Sequence, residues 1–259
     1  MKNTLSRLIT LILTASILLS LSSCFWFTER LEYPDGNSFV SGSTRFDKSN
    51  LATDVDIVIN WLGGSVSLLT TEGDEVVIEE KNTTAINKQN SLHTYYDGKA
   101  LNIRPAESGT ALSDIPNKAL TVYIPESLAL GSLIVTGTAA DVSIGGITSK
   151  IAYVEIGSGS LNLGDSNITE RFEYVMGSGD AIICPATMPN RINVTVASGN
   201  TDLIIPRGEG FTLSYRATAG DLISEYTEKL NGSSLVVGDG AKKISYSADS
   251  GNLYLGKRD

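Results

Sequence analysis

With two cysteines, one histidine and two tryptophans in 259 residues, the chain has little material for several common chemistries. A disulfide scaffold needs paired cysteines at recurring spacings, and Cys24 and Cys184 supply at most one bridge. A Ser-His-Asp or His-metal site would have to use His93, and neither a nucleophile-elbow motif nor a second imidazole accompanies it. Basic excess is also missing. The net charge is −9 and the pI about 4.7, which argues against nucleic acid as a partner and against electrostatic docking on an anionic membrane. Acidity supplies solubility and leaves a cationic partner open. Downstream of the N-terminus no stretch sustains a 3.6-residue apolar period, so helix should be minimal. Aromatics are 7% and prolines 7, whereas glycines number 25, as expected of a chain with many tight turns.

The one long apolar run, residues 8–21, follows a positively charged start and is short for a membrane span. It ends in Leu21-Ser22-Ser23-Cys24, which resembles the bacterial lipoprotein signal. That resemblance implies cleavage before Cys24 and a diacylglyceryl group on its sulfur. The chain is then held at the bacterial cell envelope, outside the cytoplasm, with inner or outer membrane left open. With Cys24 acylated, Cys184 is the remaining thiol, and its place before Pro185 reads as a small filler at a sheet margin. Residues 24–53 read as a tether reaching roughly 30 Å, with Phe25, Trp26 and Phe27 at the membrane interface.

Residues 54–259 read as one domain built on a repeated phrase. RFEYVMGSGDAIICPATMPN is preceded by IAYVEIGSGSLNLGDSNITE and followed by RINVTVASGNTDLIIPRGEG. The turn positions are Ala140, Gly159, Gly179, Gly199, Gly220 and Gly251, separated by 19, 20, 20, 21 and 31 residues, the last step holding an insertion. An early copy surrounds Gly64.

Four columns at fixed offsets from these turns are mainly apolar. Seven before stand Leu133, Ala152, Phe172, Ile192, Leu213 and Ile244; five before, Val135, Val154, Tyr174, Val194, Tyr215 and Tyr246. Two after stand Val142, Leu161, Ala181, Thr201, Leu222 and Leu253; four after, Ile144, Leu163, Ile183, Leu203, Ser224 and Leu255. Units of two short strands cannot bury an apolar face alone, so they stack and share a core. The expected fold is all-β: a single-domain β-solenoid of about 20 residues per coil, with two facing parallel sheets, right-handed as parallel connections usually are. A β-sandwich also has frequent turns, but it does not predict columns in the same phase every twenty residues.

VYIPES at 122–127, GSGD at 177–180, ASGN at 197–200, TAGD at 218–221 and DSGN at 249–252 together resemble the bacterial putative-adhesin domain family of unknown function. The resemblance spans about residues 54–259 and implies a β-solenoid exposed on the envelope. Ala140 and the insertion before Gly251 depart from its pattern.

The residues after the turn position are Asp141, Ser160, Asp180, Asn200, Asp221 and Asn252. Their oxygens suit either calcium or hydrogen bonding to nearby backbone, and the sparse Gly and Asp favour turn chemistry. Tyr95, Tyr96 and the Tyr174–Tyr215–Tyr246 column suit either sugar stacking or core packing. The column's apolar phase favours the core. Outward positions lack the recurring carboxylate pair of a glycosidase. The sequence therefore reads as a non-enzymatic, lipid-anchored envelope protein without a cofactor or metal. Its partners would be the membrane, through Cys24, and an unidentified protein or glycan. An envelope-stress or assembly accessory binding a membrane partner is the alternative, with a polysaccharide-active enzyme behind both.

Overall fold

A computed structural model describes residues 29–82 and 86–258. Cys24 and the signal segment lie outside them. In chain order the strands are β1 (Val40–Ser41), β2 (Thr44–Asp47), β3 (Asp56–Thr71), β4 (Glu75–Lys81), β5 (His93–Tyr96), β6 (Ala100–Arg104), β7 (Lys118–Pro125), β8 (Ala129–Gly145), β9 (Thr148–Ser158) and β10 (Leu161–Gly164). There follow β11 (Asn167–Ser178), β12 (Ala181–Cys184), β13 (Arg191–Ser198), β14 (Thr201–Pro206), β15 (Phe211–Ala219), β16 (Leu222–Ser224), β17 (Ser234–Val237), β18 (Lys242–Ser250) and β19 (Leu253–Arg258). The described helical segments are three-residue 3-10 turns.

Period-two alternation puts every second side chain on one face, and those faces meet in one continuous apolar core. The strands form two arms. Along the stack the first arm runs β6, β3, β8, β9, β11, β13, β18, β15, all parallel. The second runs β7, β3, β8, β10, β12, β14, β19, β16, also parallel. The two facing sheets expected from sequence are joined into a single curled sheet, because β3 and β8 pass through the bend without a break and belong to both arms. Val142 lies opposite Leu161, Leu161 opposite Ala181 and Ala181 opposite Thr201, register steps of 19, 20 and 20 residues.

The order of the last two units is reversed relative to the chain. β13 pairs with β18 and not with β15, and Thr201 lies opposite Leu253. The chain skips one level to lay down β15 and β16, then returns to place β18 and β19 in the gap. The insertion before Gly251 provides the return path, and its β17 pairs antiparallel with the outer edge of β15. Residues 211–224 therefore form the end of the stack. That explains the exceptions in the apolar columns: Tyr215, Leu222 and Ser224 are only partly buried, whereas the other column residues are buried. A fifth buried column, not apparent in the sequence columns, holds Trp61, Ile156, Met176, Val196 and Ala248. Full burial of a side chain such as Leu, Ile, Val or Phe is worth about 1.5–3 kcal/mol, so each interior level adds a similar increment.

The opposite end is covered by antiparallel strands: β5 on β6, β1 on β5, β4 on β7 and β2 on β4. Such covers prevent edge-to-edge association. They also correct the expected tether boundary at residue 53. Arg30 bridges Ala111, Leu31 packs with Ala106 and Ile115, and the Tyr33 hydroxyl donates to the Ala106 carbonyl at 2.8 Å. The described part of that segment is thus built into the fold.

A buried ion pair fixes this cap. Lys118 Nζ lies 2.7 Å from Glu80 Oε2, donates to the Asn90 carbonyl at 2.8 Å and faces the Trp61 ring at 5.1 Å. The Trp61 indole N–H donates to the Lys118 carbonyl at 3.0 Å. Burial lowers the pKa of Lys118 and outweighs the opposing effect of Glu80.

Candidate interaction surface

The turn residues form the bend between the arms. Gly199 has φ +136°, and a Cβ placed there would overlap the Gly179 carbonyl. The same contact runs from Gly159 to Ala140, Gly179 to Gly159, Gly251 to Gly199 and Gly220 to Gly251, reproducing the reversed order. Gly64, with φ +97°, faces the Lys118 backbone in the same way. Ala140 departs from glycine without strain, because it is not among the positive-φ residues.

Beside this column the polar turn residues bond between levels. Ser160 Oγ donates to Asp141 Oδ1 at 2.7 Å, and the Asn200 backbone N–H to Asp180 Oδ1 at 2.8 Å. The Asn252 N–H donates to Asn200 Oδ1 at 3.1 Å, and the Asp221 N–H to Asn252 Oδ1 at 2.9 Å. These side chains act as rungs joining neighbouring coils, and in three of the four bonds the partner is a backbone N–H of the next level. Among the described residues, no cluster of three or more His, Cys, Asp or Glu could hold a metal ion.

The structure disperses the remaining candidates. His93 is a buried strand residue with Nδ1 2.8 Å from the Ser91 carbonyl. Tyr174 and Tyr246 are buried, while Tyr215 stacks on Tyr246 with centroids 5.6 Å apart at the exposed end. The Tyr96 hydroxyl accepts from the Ala52 N–H at 2.8 Å, and Tyr95 packs on Phe39. Cys184 is half-buried at the end of β12.

What the arrangement offers instead is a surface. On the outside of the first arm a groove of about 700 Å³ crosses successive levels. Its floor is low where Gly157, Gly177 and Ala197 come into line, and Glu155 and Thr195 stand beside it. The alternation that buries one face leaves the outer side chains at the spacing of parallel strands, about 4.8 Å. The sequence signal for this groove was the small residue two places before the turns at Gly159, Gly179 and Gly199.

A family model described as Toastrack DUF4097 matches residues 64–255. Among curated proteins none matches the chain. Among solved structures, a putative cell adhesion protein from Clostridium sporogenes is similar at 10% identity and a TM-score of 0.53, with 85% of this chain and 100% of that one covered. A putative adhesin from Bacteroides fragilis is similar at 12% identity and a TM-score of 0.39, over 84% and 96% of the two chains. The first likeness supports a shared fold.

Proposed function

We propose that this chain, which belongs to the Toastrack DUF4097 family, is a non-enzymatic, lipid-anchored protein of the bacterial envelope that presents its stacked sheet as an adhesin-like binding surface. The observation that carries this reading is the outer groove, which runs across several coils and aligns Gly157, Gly177 and Ala197 at successive levels. A surface of that kind suits an extended polymer or a protein face better than a small substrate. The adhesion-related name of the Clostridium sporogenes structure agrees with it. The register steps support a coil of about 20 residues, right-handed by the usual rule for parallel connections. The lipid sits on Cys24 after cleavage of the signal segment.

Replacing Cys24 with Ala should move the protein from the membrane to the soluble fraction; retention in the membrane would remove the lipoprotein reading. A glycan array combined with pull-down from envelope extracts tests the binding role. Depolymerisation of an envelope glycan by the purified chain would overturn the non-enzymatic assignment.

A further inference from the structure

Arg171, Arg191 and Lys243 occupy one outward column on adjacent strands: Arg171 lies opposite Arg191, and Arg191 opposite Lys243. Like charges directly opposite each other on neighbouring strands destabilise a sheet, and this chain carries 29 acidic residues against 20 basic ones. Neutralisation within the protein is incomplete. Arg171 has Glu173 at 3.9 Å. Among the described residues, Lys243 Nζ donates to neutral oxygens alone, the Thr212 hydroxyl at 3.2 Å and the Gly240 carbonyl at 2.8 Å. Among the described residues Arg191 has no ion pair, and both Arg191 and Lys243 are exposed.

Together they line a shallow groove of about 260 Å³, whose other polar residues are Asn193, Thr212, Ser214 and Ser245, with no carboxylate. Asn193, Ser245 and Ser214 are themselves in register across β13, β18 and β15. This composition depends on the reversed order of the last two units. Had β15 followed β13 directly, Thr212 would stand beside Arg191 and the two cations would be separated.

We propose that Arg191 and Lys243 form a subsite for the carboxylate or sulfate groups of an anionic polysaccharide, with the flanking amide and hydroxyl side chains meeting sugar hydroxyls. This rests on the binding-surface reading above and gives it a ligand class. The two residues stand on adjacent strands, whose backbones lie about 4.8 Å apart, and charge-assisted hydrogen bonds are the strong ones available to an exposed site. An acidic protein partner would call for exposed aromatic or aliphatic anchors, and the apolar residue lining this groove, Ile244, is buried. Nucleic acid would call for a wider basic patch or a stacking platform.

The test uses the full chain in detergent, with polygalacturonate and dextran sulfate as carboxylated and sulfated probes, neutral dextran as reference and duplex DNA as competitor. Binding to one or both anionic polysaccharides, weakening as salt rises, is expected. It should fall about tenfold or more for each cation lost in Arg191→Gln and Lys243→Gln. The charge-conserving pair Arg191→Lys with Lys243→Arg should restore it, and unchanged circular dichroism excludes misfolding as the cause. Equal binding by wild type and the double glutamine variant would overturn the subsite, as would binding to neither polyanion. Duplex DNA that binds as tightly and shows the same loss would overturn the glycan assignment. Binding to neutral glycans or a protein partner alone would remove the subsite but keep the broader surface reading.

Discussion

The turn column makes Gly199→Ala the most informative single change. Gly199 sits at φ +136° in the middle of the stack, where a Cβ would overlap the Gly179 carbonyl. Two costs add. A non-glycine residue in so sparsely allowed a region costs of order 1–3 kcal/mol. Overpacking a closely fitted site costs typically about 1–3 kcal/mol more, because relief requires separating two hydrogen-bonded levels. Reduced freedom of the unfolded chain returns about 0.4–1 kcal/mol. The expected net loss is therefore roughly 1–6 kcal/mol, a substantial part of a domain stability of about 5–15 kcal/mol. Gly42 provides the control. It has φ +93°, but a Cβ there would meet nothing within 4 Å, so Gly42→Ala carries the backbone cost alone. Urea unfolding followed by circular dichroism measures both, with the slope checked for constancy. A Gly199→Ala loss no larger than that of Gly42→Ala would refute the claim that close stacking of coils selects glycine at this bend.

The reversed order of the final units can be read by cross-linking. In a Cys184→Ser background, Asn193→Cys with Ser245→Cys should oxidise to a disulfide, since the two positions are register partners, whereas Asn193→Cys with Ser214→Cys is two levels apart and should not; the opposite result would restore the consecutive order. Tyr174 is buried and its hydroxyl lacks a hydrogen-bond partner, so Tyr174→Phe should raise stability by about 1 kcal/mol, and a clear loss in the urea midpoint would show that the hydroxyl is satisfied. Stability should also fall as pH rises from 10 towards 12. Burial pushes the Tyr33 hydroxyl up to about 12 and a hydrogen bond to Glu155 does the same for Tyr153, so the native state keeps protons that the unfolded chain releases near pH 10. Seven tyrosines shift upwards, against an opposing shift at Lys118; a urea midpoint that is flat or rising over that range would contradict the sign.

How much of this was legible depended on whether the determining interaction is local or between levels. Alternation at Tyr174, Val194 and Ile183 reports a half-buried strand directly, and a twenty-residue recurrence reports stacking, so the all-β architecture and its core columns follow from the sequence. The cap was harder. β4 to β7 use residues such as Lys118 and Glu80, whose burial depends on each other across 38 positions, and neither carries an apolar signature. The folded part of the expected tether was missed for a related reason: Leu31 and Tyr33 find partners more than seventy residues away, at Thr110, Ala106 and Ser108.

The order of the last two units shows the limit most clearly. Identical phase in every column is what lets any unit stack on any other, so the columns that reveal the solenoid are silent about succession. The decision falls to features outside the repeat. The insertion before Gly251 is long enough to return past one level, and its β17 covers the outer edge of β15, making that unit a terminus. The half-exposed Tyr215, Leu222 and Ser224 are the record of this choice in composition: the last column position holds serine where the other units in the array have Ile or Leu. Polarity alone does not mark an end, since Thr201 is polar and buried in the interior of its column; Ser224 fits the end because it is only partly buried there. The same reversal sets Arg191 beside Lys243, so the basic groove belongs to the succession of units and could not be read from the repeat itself.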